Sequence, residues 1–379
     1  MIVEAVPNFS AGRDERVIAE IAAVAAKGSH LLDVDADAIH NRSVVTVAAA
    51  SLERLEDALF ETVGVAKARI DLREHAGVHP RVGVADVIPF VPLSGVAMEE
   101  CVAAAHRLGE RIWRELAIPV YFYGEAARRP GSRRLSQIRA GADAPDLGDS
   151  LHESAGAVSI GARPPLVAYN LLLLHADSTA AARLASGIRE SSGGMAGVQA
   201  LAFDLGGDVL QLSMNLYQLE SATPAAVLAR ARELGAQLGL EIGGEEVVGL
   251  CPAQAADSEA ARGHLLEARL AAAAAHAGAG RCRDTGKAEL ELLAARLDSR
   301  ADSLAKLGSD GDGLLRGAEE AAALPRVLER AGVLDSEVAG LFDYSARRLR
   351  EAIGEPVPTE LAARLEALDR WLATPPPSA

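Results

Sequence analysis

The stretch DLREHAGVHPR (71–81) sets His75 and His79 four residues apart, with Arg73 and Arg81 beside them and Gly77 and Pro80 in the same run. Two histidines at this spacing hold zinc when a helix stacks them on one face. Gly77 and Pro80 argue against a continuous helix, and no motif demands a third ligand, although Asp35 or Asp37 could supply one. An imidazole with a pKa near ~6.5 can take and give a proton around neutrality. A stiff Gly-Val-His-Pro bend could hold such a ring at a cleft edge. The remaining possibility is an ordinary polar turn, and the stretch by itself leaves the last two open. For His40, His106, His152, His264 and His276 surface or packing roles are expected.

A second group is LLDVDADAIHNRS (31–43). A carboxylate at a strand end can orient a histidine or pair with an arginine, or it can simply terminate the strand; Asp33, Asp35 and Asp37 leave both readings open. Asp33 and Asp35 are expected on opposite faces, with Asp37 on the face of Asp35. VPNFS (6–10) and YGEAA (123–127) put Asn8, Gly124 and Glu125 directly after apolar runs, where open α/β folds bind ligands. SSGGMAGVQ (191–199) lacks the Lys-Ser/Thr of a phosphate loop and reads as a connection. An anionic ligand would need local arginines, which RRPGSRR (128–134), Arg81 and Arg163 offer.

These residues need elements to position them. The 379 residues suggest two or three domains. Strands are expected at 2–7, 30–37, 42–50, around 82–92 and at 118–124, with helices after the first, third and fourth of these. From about residue 156 the order returns: a strand in PPLVAYNLLLL, a helix, a hairpin closed at Gly-Gly-Asp, a helix and a last strand in EIGGEEVVGLC. Strand–helix–strand–strand–helix–strand, twice, is the ferredoxin-like unit, with an extra helix and strand in the first copy. Beyond about Pro252 every segment reads as amphipathic helix. The expected division is residues 1–160, 161–255 and a helical segment 256–379.

The formal net charge of −15 argues against general affinity for nucleic acid. Cys101, Cys251 and Cys282 are far apart with no zinc spacing, which suits free thiols in a reducing cytoplasm. The N-terminus has no signal pattern, and the apolar runs are shorter than the roughly 20 residues that cross a bilayer. A soluble cytoplasmic protein, not bound to membranes, is expected.

Taken together, VPNFS (6–10), LLDVDAD…NRSVVT (31–46), HAGVHPRVGVADVIPFVPL (75–93), PVYFYGEAA (119–127), GAVSIGARPPLVAYNL (156–171), VQALAF (198–203) and EEVVGLCP (245–252) resemble the glutamate formimidoyltransferase family. That family stands alone in many bacteria and forms the N-terminal part of animal formimidoyltransferase-cyclodeaminase. The resemblance covers about residues 1–252. It implies transfer of a formimino group from N-formimidoylglutamate to tetrahydrofolate, a step of histidine degradation. It also implies an α/β (α+β) fold of two ferredoxin-like subdomains facing each other across a folate cleft, usually as a homodimer, with tetrahydrofolate as co-substrate and no metal.

By the same resemblance the catalytic histidine falls on His79, with His75 in support and Asp35 orienting or tuning it. The folate loop falls on Gly148, Asp149, Ser150, Leu151, His152, Glu153, Ser154, Ala155 and Gly156. Ala155 stands where some members carry a tryptophan, and Ala11 where many carry a glutamate. Arg42, Arg81 and Arg163 are candidates for gripping substrate carboxylates, and Asn8, Gly124 and Glu125 for further contacts. A formyl donor, or folate binding without turnover, would use the same motifs. No stretch of the helical segment matches a cyclodeaminase.

Overall fold

The computed structural model describes residues 1–141, 143–174, 176–206, 209–267, 269–270 and 273. Two compact units divide the chain. The first comprises 1–165 with 174–178 and 202–211, and the second 166–173, 179–201 and the described residues after 211.

In the first unit β1 (Ile2–Ala5) and β2 (Asn8–Phe9) are two pieces of one line, interrupted at Val6 and Pro7. Both pieces lie between β4 (Arg42–Ala49) and β5 (Ala85–Ser94), antiparallel to each. Outside β4 runs β3 (His30–Asp37), which gives the order β3-β4-β1/β2-β5 of a ferredoxin-like sheet. β7 (Val158–Ala162) and β6 (Val120–Gly124) then extend it in parallel beyond β5. The expectation missed β7, having opened the second repeat at about residue 156. A five-residue strand buried on both faces shows no alternation to read.

Helices α1 (Glu15–Ala25), α2 (Leu52–Arg69) and α3 (Met98–Leu116) cover one face. Their apolar stripes meet Val3, Phe9, Val45, Val47, Ile88, Phe90, Val120, Phe122 and Ile160 in one buried core. The Asp14 and Ser51 side chains cap the first two helices by accepting backbone amides. Strand residues alternate between faces, so Asn8, Arg42, Val87, Tyr121 and Tyr123 stand on the side away from this core. There Val87, Tyr121 and Tyr123 pack with Ile138 of the short helix α4 (Leu135–Arg139).

The second four-stranded sheet has the order β11 (Glu241–Val248), β8 (Val167–Leu174), β10 (Val209–Leu216), β9 (Val198–Gly206). Numbered along the chain this is 4-1-3-2, again ferredoxin-like. Its connecting helices are α5 (Ser178–Ile188) and α6 (Pro224–Leu238), and a short α7 (Glu259–Arg262) follows β11. The expected helices beyond residue 273, with Cys282 and His276, lie outside the described residues. Cys101 and Cys251 are buried free thiols. Among the described residues no helix is long and apolar enough to cross a membrane.

Candidate active site

Loop 70–84 and the turn 37–42 hold each other. The Asp37 carboxylate accepts the amides of Ile39 and His40, both at 2.7 Å, and so closes the turn. Asn41 lies in the left-handed region (φ 46°) and its Nδ2 donates to the Ala76 carbonyl. The His75 Nε2 donates to the Asn41 carbonyl at 3.0 Å. Gly77 is required by this packing, because a Cβ there would stand 2.3 Å from the His40 carbonyl oxygen. Arg81 donates from Nη2 to the carbonyls of Gly77 (2.6 Å) and His79 (2.8 Å), clasping the loop from within.

His79 emerges from this frame half-buried. Its Nδ1 lies 2.7 Å from the Pro80 carbonyl oxygen. A carbonyl only accepts, so the Nδ1 atom carries the proton and Nε2 keeps its lone pair. The rings of His40 and Phe203 each stand 5.8 Å from the His79 ring, and 5.5 Å from one another. Burial, then the Arg42 and Arg139 guanidiniums, push the His79 pKa far below its ordinary value; Asp86 opposes them.

Asp86 is the buried centre of the neighbouring charge cluster. Its Oδ2 accepts from Arg42 Nη1 and Arg139 Nη2, both at 2.7 Å, and its Oδ1 from the Val82 amide at 2.7 Å. Burial alone would raise this carboxyl, but the two guanidiniums outweigh it and hold it well below its usual range. Arg42 also donates from Nε (3.2 Å) and Nη2 (2.8 Å) to the Asn8 Oδ1.

The other expected site residues fall as follows. Asp33, Asp35 and Asp37 are all half-buried while Val34 and Ala36 are exposed, so the three share one side; the expected split of Asp33 from Asp35 is corrected by the strand's period of two. Asp35 sits on β3 opposite Val44. The His79 ring donates from Nδ1 to the Pro80 carbonyl, and the charge of the Asp86 carboxylate acts on it. Arg42, expected to grip substrate, has Nε, Nη1 and Nη2 engaged within the protein. Arg163 donates from Nη1 to the Pro164 carbonyl at 3.0 Å. Glu125 is paired with Arg133 at 2.7 Å. Gly124 has φ +63°, and a Cβ there would stand 2.5 Å from the Ala162 carbonyl oxygen. In RRPGSRR, Arg128 and Arg129 pair with Glu110 and Asp146, so the run is largely neutralised.

Loop 148–156 is tied across its base. His152 and Gly156 exchange backbone bonds at 2.8 Å, and the His152 Nδ1 accepts from the Ser154 and Ala155 amides. Ala155 is wholly buried, so its side chain presents no surface for ligand stacking. Gly148 and Gly156 have positive φ, and a Cβ at Gly156 would stand 2.1 Å from the Val82 carbonyl oxygen. Glu153 pairs with Arg73. Asp149, Ser150 and Leu151 are exposed, Leu151 at 55%.

Sequence reasoning missed Asp86, Arg139, His40 and Phe203. A lone acid inside the apolar run VGVADVIPF was a readable signal, because a buried carboxylate requires partners. Arg139 lies 53 residues from Asp86 along the chain and carried no such mark. Among the described residues, no group of three or more His, Cys, Asp and Glu comes together as a metal site.

Two family models match in succession: the formiminotransferase domain, N-terminal subdomain, over residues 2–163, and the formiminotransferase domain over 168–270. A glutamate formimidoyltransferase of Streptococcus pyogenes is 37% identical over 270 residues, covering 67% of this chain and 90% of the relative. One from Thermoplasma acidophilum is 40% identical over 271 residues, covering 67% and 89%. The formimidoyltransferase-cyclodeaminase of Rattus norvegicus is 38% identical over 276 residues, 67% of this chain but only 51% of that longer protein.

Proposed function

Because the chain belongs to the formiminotransferase family, we propose that it transfers the formimino group of N-formimidoylglutamate to tetrahydrofolate, giving 5-formimidoyltetrahydrofolate and glutamate. The folate is a co-substrate, and the reaction places the protein in histidine degradation. Transfer exchanges one C–N bond for another. The folate N5 attacks the amidine carbon, a tetrahedral adduct forms, and the glutamate amine departs. One proton must leave N5 and one must reach the amine.

His79 is the proposed carrier of that proton, and the tautomer is the observation that supports it. With Nδ1–H held by the Pro80 carbonyl, the only lone pair of the neutral ring is on Nε2. Nε2 therefore takes the proton as base and returns it as acid. The depressed pKa keeps the resting ring neutral with its Nε2 lone pair free, and makes the protonated ring a strong acid toward the departing amine. The backbone clasp on loop 70–84 fixes the ring before substrate arrives, so no ordering is left for the transition state.

The proposed organisation is two formiminotransferase subdomains divided between β7 and β8, then a helical segment of separate role. Folate is assigned to loop 148–156, whose glycines shape the backbone and whose exposed Asp149, Ser150 and Leu151 are the side chains free to meet a ligand. Kinship supports a homodimer, which light scattering on the purified protein tests, and the free thiols Cys101 and Cys251 suit a reducing cytoplasm. Steady-state assay with N-formimidoylglutamate and N-formylglutamate side by side tests the reaction. Turnover with the formimino donor at least tenfold above the formyl donor is expected, and the reverse preference would reassign the donor.

A further inference from the structure

The Asp86 cluster holds more positive charge than it uses. One carboxylate, fully buried, accepts from two guanidiniums, which leaves a net charge of +1 in a desolvated place. An uncompensated buried charge is costly, so such a cluster is completed by an anion. The two arginines are not equivalent. Arg42 is engaged through all three nitrogens, with Asn8 and Asp86 as partners. Arg139 gives one bond, from Nη2 to Asp86, and this is the only hydrogen bond of its side chain among the described residues. Its Nε is buried with no partner. The Arg139 side chain is 18% exposed and that of Arg42 13%, while Asp86 is wholly buried, so the cluster meets solvent only through its guanidinium-bearing chains.

A guanidinium with unused donors beside a closed ion pair suits a carboxylate, which can take two parallel N–H bonds. The other arginines nearby are occupied: Arg81 on loop carbonyls, Arg163 on the Pro164 carbonyl. We propose that Arg139 binds a carboxylate of the amino-acid donor and anchors its glutamate moiety beside His79. This rests on the formimidoyl-transfer reading above. A carboxylate bound there would neutralise the surplus charge, so that the donor completes a site the empty protein leaves uncompensated.

The test uses three donors at saturating tetrahydrofolate: N-formimidoyl-L-glutamate, N-formimidoyl-L-glutamine and N-formimidoyl-L-isoglutamine, which blunt neither, the side-chain or the α-carboxylate. In the wild type, the amide that blunts the anchored carboxylate is expected to raise KM about 10- to 1000-fold. Arg139→Met is expected to raise KM for the glutamate donor by a similar factor, to abolish the penalty of that one amide, and to leave KM for tetrahydrofolate unchanged; Arg139→Lys recovers part of the loss. Three results overturn the proposal. One is an equal loss with all donors while the amide penalty persists, which means that Arg139 acts only by supporting Asp86. Another is a rise in KM for tetrahydrofolate alone, which assigns Arg139 to the carboxylates of the folate tail. The third is the absence of any amide penalty in the wild type.

Should Arg139→Met fail to fold, Arg139→Gln, which keeps an N–H for Asp86, is carried through the same series. A wild type inactive with every donor would sink the transfer reading instead. Calorimetry of L-glutamate against L-glutamine and L-isoglutamine, on wild type and the Arg139 variant, would then decide the anchoring by itself.

Discussion

At the scale of single residues, the Nδ1–H of His79 is spent on a carbonyl, so its chemistry is confined to one nitrogen. Removing that nitrogen in His79→Ala is expected to lower kcat about 100- to 10,000-fold, roughly 3–5 kcal/mol of barrier, with tetrahydrofolate binding retained in a fluorescence titration. Retention of wild-type turnover with chemistry limiting would remove His79 from the mechanism. The direction of its pKa sets the pH behaviour. Burial and two guanidiniums favour the neutral ring, so the acid limb of the kcat/KM profile is expected below pH 6.5. The same shift acts on stability. The unfolded ring takes a proton near its ordinary value and the folded one resists, so unfolding binds a proton as pH falls through that window. Stability is therefore full above about pH 6.5 and declines below it, which urea melts between pH 5 and 8 would show. Asp86→Ala tests the cluster itself: two buried guanidiniums lose their carboxylate, and a loss of about 3–5 kcal/mol is expected in the same melts. His79 stood out in the sequence because a motif frames it. Asp86 and Arg139 did not, since their meaning lies in a contact between distant parts of the chain.

At the scale of elements, the loops around His79 are fixed by backbone bonds, and the glycines mark where chains approach too closely for a side chain. Gly156→Ala joins a positive φ to a collision with the Val82 carbonyl oxygen at 2.1 Å; the Leu72 side chain at 2.8 Å can move aside, but that backbone oxygen cannot. A loss of at least ~2 kcal/mol is expected in urea melts, with weaker folate binding as loop 148–156 loosens. An ordinary melting curve and unchanged folate affinity would show that the loop tolerates the change. The regular elements were readable to within a few residues wherever the pattern had a period: β3, α2 and α3 repeat their apolar positions clearly. β7 had none to show, and the polar line after Pro7 hid β2, whose two residues gain strand form only from β4 and β5 on either side.

At the scale of the whole molecule, the repeated strand order was legible although the halves share no evident identity, because each repeat must alternate its elements in the same way to cover one face of a sheet. Chemistry sits in the region that the family models match, and that region closes at residue 270. Its last stretch is integral: Leu265, Leu266 and Leu270 are buried, the Glu267 carboxylate accepts the Ala253 amide, and the Cys251 amide donates to the His264 carbonyl while its own carbonyl accepts the Leu266 amide. Cutting within 260–270 would thus expose apolar surface, at about 25 cal/mol per Å2, and unfold part of the second unit. Cutting after residue 275 spares all of these contacts. A chain ending there is expected to keep kcat/KM for formimidoyl transfer within about threefold of the full chain, a change of under ~0.7 kcal/mol in barrier. If turnover instead collapses while the truncated protein melts normally, residues 276–379 contribute to the site or to the assembly that forms it. The sedimentation behaviour of the two chains would then say which of these it is.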